Sequence, residues 1–201
     1  MSDNLTVDAV ALREDVKDKY RAVAADPGGT LHFHTGRPLA KRLNYDDAVV
    51  GPMPDSAVES FAGADNPFEL RTLEAGEKVV DMGSGAGFDS FITASQVGAS
   101  GQVVGVDMTQ EILDKSRAKA KTMGADNIEF REGLIEELPI DDGWADVVIS
   151  SGVINLCPDK QHVFGEIVRV LRPSGTLQFI DIANGKSVPA SAIANIDLWT
   201  S

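Results

Sequence analysis

The residues best placed to do chemistry lie in one stretch, Val79-Val80-Asp81-Met82-Gly83-Ser84-Gly85-Ala86-Gly87. An apolar run ends in a carboxylate, and three glycines then alternate with small residues. Glycine tolerates backbone angles closed to other residues and lets a ligand touch the main chain. A second apolar run, residues 102–108, ends in another carboxylate, Asp107. Two carboxylates beside exposed main chain can hold a cationic group and a pair of hydroxyls.

The spacing selects among ligands. A dinucleotide turn uses G-x-G-x-x-G and aims a helix N-terminus at a pyrophosphate. Here the spacing is G-x-G-x-G, and Asp81 stands two positions before the first glycine. A carboxylate suits an ammonium group and repels a pyrophosphate. S-adenosylmethionine carries an ammonium and a sulfonium and no phosphate, so it fits better than a nicotinamide dinucleotide. Asp107 is placed to accept both ribose hydroxyls, by the logic of dinucleotide folds. Met108 beside it is placed to pack on the adenine. The expected cofactor residues are therefore Asp81, Gly83, Ser84, Gly85, Gly87, Asp107 and Met108, joined by Leu134, Ile135 and Ser150 at the ends of later strands. A glycine turn that serves packing alone is the competing reading.

These residues need strands to carry them. Short apolar runs occur at 78–82, 102–108, 127–133, 145–150 and 176–182, with helical patterns at 87–97, 110–123 and 159–171 between them. Such alternation predicts a parallel sheet covered on both faces, with the ligand at the carboxyl ends of its strands. Residues 5–25 read as an amphipathic helix stopped by Asp26-Pro27-Gly28-Gly29, and shorter helical pieces follow near 38–43 and 56–61. Residues 1–69 are expected to form a helical cap and residues 70–201 the cofactor-binding core.

Composition sets further bounds. The chain has 201 residues, 43% hydrophobic and 24% charged, as soluble globular domains do. Its net charge of −13 repels phosphate backbones and anionic lipid, which argues against nucleic acid and membrane partners. No apolar run approaches a membrane span, and the first residues lack the features of a secretory signal, so a cytoplasmic protein is the simplest reading. One cysteine, Cys157, permits neither an internal disulfide nor a multi-cysteine metal site.

The motifs Val79–Gly87, Gly105-Val106-Asp107-Met108-Thr109, Asp146–Lys160 and Val170–Leu177 resemble class I S-adenosylmethionine-dependent methyltransferases. Within these, the chain resembles the arsenite methyltransferases, and more distantly the quinone-biosynthesis C-methyltransferases. The resemblance runs over roughly residues 10–182. It implies a Rossmann-like fold, S-adenosylmethionine as cofactor and a small-molecule methyl acceptor. Many such enzymes place an aspartate where this chain has Leu134, which leaves backbone carbonyls or Glu136 for the adenine amino group. Arsenite methyltransferases bind trivalent arsenic through several thiolates, soft ligands for a soft metalloid. One family cysteine belongs where this chain has Gly152, and another precedes the core where this chain reads Ser60–Phe68 without cysteine. The resemblance therefore implies the cofactor and not the arsenic chemistry. It also implies seven strands where five are legible, so either the chain is shortened or a second copy covers the edge of the fifth strand.

His32 and His34 flank Phe33 and lack a third ligand, so no metal site is expected. Cys157 is read as a small buried hydrophobe, Tyr20 as cap packing, Trp144 and Trp199 as packing and His162 as solvated. In-line methyl transfer works chiefly by alignment, so no dedicated catalytic residue is assigned. The expected function is methyl transfer to a small molecule. The alternative is a cofactor-binding module or partner subunit without turnover.

Overall fold

The computed structural model describes residues 7–25 and 34–199. Five parallel strands, β1 (Lys78–Met82), β2 (Gln102–Asp107), β3 (Ile128–Glu132), β4 (Ala145–Ser151) and β5 (Leu171–Ile180), form one sheet in the order β3-β2-β1-β4-β5. The order reverses between β1 and β4, which opens a crevice at their carboxyl ends. This is the Rossmann-like arrangement the alternating pattern predicts. The fifth strand starts earlier than its apolar run. Leu171 already pairs with Ala145, and the register shifts before Thr176 pairs with Val147.

Four helical pieces precede the sheet: α1 (Ala9–Ala25), α2 (Gly36–Arg42), α3 (Asp47–Val50) and α4 (Asp55–Val58). Then α5 (Phe88–Val97) follows β1, α6 (Gln110–Met123) follows β2, α7 (Lys160–Val170) precedes β5, and the short α8 (Ala190–Ile193) comes last. Among the described residues no helix is long and apolar enough to cross a membrane.

Side chains alternate across a strand, so β1 serves two cores. Val80 and Met82 join Val104, Val106, Val148, Val163, Ile167 and Val170 under α7. Val79 joins Val97, Val103, Val147 and Ile149 on the α5 side, and Asp81 shares that side. The crossover from β3 to β4 carries no α-helix. Leu138 and Ile140 are buried there, and Arg169 of α7 donates to both of their carbonyls, at 2.9 and 2.8 Å.

The short helices α2–α4 pack over α5 through aromatic rings. Tyr45 lies 5.1 Å from Phe88 and 5.2 Å from Phe61, and Phe61 lies 4.2 Å from Phe88, between ring centres. In contrast, α1 packs through Leu12, Val16 and Tyr20 against Met108, Leu156, Ile196 and Trp199. Both groups of helices border the crevice.

A carboxylate-lined candidate cofactor site

The turn after β1 is folded back onto β2. Gly83 and Ser84 both donate their amide protons to the Val106 carbonyl at 2.9 Å. The three glycines serve different ends. A Cβ on Gly83 would lie 2.4 Å from Val153, and one on Gly87 2.8 Å from the Phe130 ring. A Cβ on Gly85 would meet nothing within 4 Å, so Gly85 is the position that leaves main chain open to the crevice.

The crevice holds a cavity of about 160 Å³. Gly83, Ser84, Gly85, Asp107, Met108, Leu134 and Ile135 line it, all residues expected from the sequence. Asp81, Gly87 and Ser150 do not line it. Asp81 is 4% exposed and accepts the Ser90 hydroxyl proton, so it sits behind the wall under the start of α5. Ser150 is buried and donates to the Met82 carbonyl, whereas its neighbour Ser151 reaches the cavity. The alternation of β1 and β4 explains both placements.

Asp107 holds the turn as well as lining the cavity. One carboxylate oxygen accepts from the Gly85 amide at 3.0 Å and the other from the Thr109 amide at 2.9 Å. Burial raises the Asp107 carboxyl above its ordinary range, against hydrogen bonds from the Thr109, Gly85 and Met108 amides and the Thr109 hydroxyl, which lower it. The Ser84 hydroxyl is buried without a partner, as expected of a group that awaits a ligand.

Several cavity residues come from elements remote from the motif. Asp89 of α5 lines it and accepts the Tyr45 phenol proton at 2.8 Å. Residues Ser60–Gly63 form the wall opposite. Ser151 Oγ fixes that segment by accepting from the Ala64 amide at 3.1 Å and donating to the Asp65 carbonyl at 3.0 Å. Tyr20 lines the cavity from α1 in addition to packing there, and burial followed by the Asp107 charge raises its phenol.

Arg13 of α1 pairs with Glu136 at 2.8 Å across the same cavity. Burial pushes the Glu136 carboxyl up, but hydrogen bonds from Cys157 and Arg13 outweigh it and hold the carboxyl below its usual range. The Cys157 thiol is pushed up to about 12, first by burial and then by Glu136. Gly152 has φ +70°, and a Cβ there would lie 3.1 Å from Ala64. That backbone conformation is strained for any residue with a Cβ.

His34 is exposed, His162 is exposed, and His32 lies outside the described residues. Among the described residues no group of three histidine, cysteine or acidic side chains is placed to hold a metal ion.

The electrostatic balance of the site is negative. Arg13 and Glu136 offset one another, which leaves Asp89 and Asp107 at the wall and Asp81 behind it. Among the described residues no lysine or arginine pairs with any of the three; their donors are hydroxyls and backbone amides. Buried carboxylates without a cation are costly, and a cationic ligand relieves that cost. An open main-chain position, an unpartnered hydroxyl and unpaired carboxylates therefore fit S-adenosylmethionine.

The chain is similar to known proteins in sequence and in fold. The methyltransferase-domain family matches residues 73–199. An arsenite methyltransferase of Halobacterium salinarum is 37% identical over 94% of this chain and 52% of its own length. One of Aquipseudomonas alcaligenes is 46% identical over 53% of this chain and 33% of its own. The crystal structure of an arsenic(III) S-adenosylmethionine methyltransferase from Chlamydomonas reinhardtii superposes with a TM-score of 0.68 at 36% identity, covering 72% of this chain and 51% of that one. The chain thus spans about half the length, or less, of these relatives. A family match over more than half of the chain, on a sheet with this strand order, makes it a member of the class I S-adenosylmethionine-dependent methyltransferase family.

Proposed function

We propose that this chain binds S-adenosylmethionine in the cavity and transfers its methyl group to a small-molecule acceptor. The observation that carries the reading is the set of buried carboxyls around the glycine turn, with no lysine or arginine paired to them among the described residues. A pyrophosphate would add charge of the same sign; S-adenosylmethionine, with a sulfonium, an ammonium and one carboxylate, brings a net positive charge that reduces the imbalance. Asp107 takes the ribose hydroxyls, Met108, Leu134 and Ile135 flank the adenine, and Gly85 offers its main chain. Asp81 acts from behind the wall through its charge.

When bound, the cofactor supplies an electrophilic methyl on sulfur. The residues of this chain have three tasks. They hold the cofactor, exclude water with Phe61, Phe88 and Val153, and leave room for the acceptor beside Gly63 and Gly152. Methyl transfer is an in-line displacement. Bound there, the cofactor would present its methyl, and the space beside Gly63 and Gly152 would let an acceptor approach it in line. Alignment of this kind lowers a barrier without a dedicated acid or base.

The acceptor differs from a thiolate-bound arsenic. These 201 residues include one cysteine, too few thiolates for a soft metalloid. Release of S-adenosylhomocysteine, followed by chromatography, tests the proposal across a panel of thiols, phenols, amines and arsenite. Turnover with a thiol, phenol or amine and none with arsenite is expected. Cofactor binding without turnover on any acceptor would leave a binding module, and turnover on arsenite would overturn the assignment made at Gly152.

A further inference from the structure

The two carboxyls closest to the start of α5 differ in what they can reach. Asp81 is spent on Ser90 and does not line the cavity. Asp89 is the second residue of α5, is half-buried, and lines the cavity. Tyr45 fixes its orientation. The phenol donates to Asp89 Oδ1 at 2.8 Å, and the ring is locked between Phe61, Phe68 and Phe88. No donor among the described residues meets Oδ2. Ser60–Gly63 and Phe88 line the same cavity.

Asp107 stands at the other side of the turn, where its amide bonds to Gly85 and Thr109 place it beside Met108 and the adenine-side residues. Asp89 and Asp107 line the same cavity, with Gly83, Ser84, Gly85 and Ala86 of the turn beside them. We propose that Asp89 is the direct ligand of the cofactor's α-ammonium group and that Tyr45 is its positioning residue. The proposal rests on the cofactor reading above and moves the ammonium contact from the strand residue Asp81 to the helix residue Asp89. Ion pairing at this position relieves a carboxyl that burial and the nearby Asp81 charge otherwise push toward protonation.

Two ligands separate the contact from the rest of the seat. S-adenosylhomocysteine carries the amino-acid group, whereas 5′-methylthioadenosine lacks it and keeps the adenine, ribose and sulfur. Titration calorimetry of the wild-type chain, Asp89→Asn and Tyr45→Phe with each ligand reads the difference. The expected result is a loss of tenfold or more in affinity for S-adenosylhomocysteine in Asp89→Asn, with 5′-methylthioadenosine within twofold of wild type. Tyr45→Phe loses two- to fivefold, again for S-adenosylhomocysteine alone. Unchanged S-adenosylhomocysteine affinity in Asp89→Asn overturns the proposal, as does equal loss of both ligands, which marks a structural role. A wild-type chain that binds neither nucleoside overturns the cofactor reading itself.

Discussion

Three carboxyls near the glycine turn share one physical situation and three different duties. Asp81 polarises from behind the wall, Asp107 braces the turn, and Asp89 faces the cavity. Burial raises all three above the usual carboxylate range. For Asp89 the sign of the consequence follows directly. The unfolded chain gives up this proton in the ordinary carboxylate range, whereas the folded chain keeps it to higher pH. Protonation therefore favours folding at low pH, and the contribution is lost as pH rises through the folded value. Asp89→Asn removes that loss. In thermal melts without cofactor, the variant should gain stability relative to wild type as pH rises from about 5 to about 8; a difference that stays flat with pH contradicts the burial argument. The residues legible in the sequence were those tied to the turn and to the strand ends, such as Gly85, Asp107 and Met108. The glycine spacing and the end of the next strand mark them, and the fold brings Asp107 to the Gly85 amide across 22 positions. Asp89 sits in the same stretch, but only the packing of Tyr45 across more than forty positions reveals its direction. The same packing hides Asp81 and Ser150, which strand alternation turns away from the cavity.

At the scale of elements, helices and strands were legible almost residue for residue where apolar periodicity was strong, as in α6 and β1. The fifth strand was legible only from Thr176, because Arg172-Pro173-Ser174-Gly175 reads as a turn and interrupts the pairing that Leu171 begins. The helix α1 was legible as an amphipathic cap, but that Arg13 and Val16 reach the cavity beside Tyr20 was not, since they form part of an ordinary amphipathic pattern. Arg13 joins this helix to Glu136, whose side chain is 11% exposed against 31% for Arg13. Removal of the guanidinium leaves a nearly buried carboxylate with only the Cys157 thiol beside it. Exposed pairs contribute below about 1 kcal/mol, and breaking fully buried ones costs roughly 3–5. Arg13→Ala should therefore cost about 1–3 kcal/mol in urea unfolding, and adding Glu136→Gln should recover part of the loss. A single variant within 0.3 kcal/mol of wild type (roughly the error of such differences) would show that the pair does not secure α1.

For the whole molecule, the strand order sets where chemistry occurs, and the charge sets which ligand is welcome. The reversal between β1 and β4 brings the turn after β1, the end of β2 and the end of β4 to one crevice, while the cap helices close it from above. A net charge of −13 adds a negative field to a cavity already lined by unpaired carboxylates, and such a field favours cations over phosphates. Equilibrium titration with S-adenosylmethionine and, separately, with NAD tests that selectivity most directly. The account predicts one S-adenosylmethionine per chain, at least tenfold weaker binding in Asp107→Ala, and no detectable binding of NAD. Saturable binding of NAD, or S-adenosylmethionine affinity indifferent to Asp107, would contradict it.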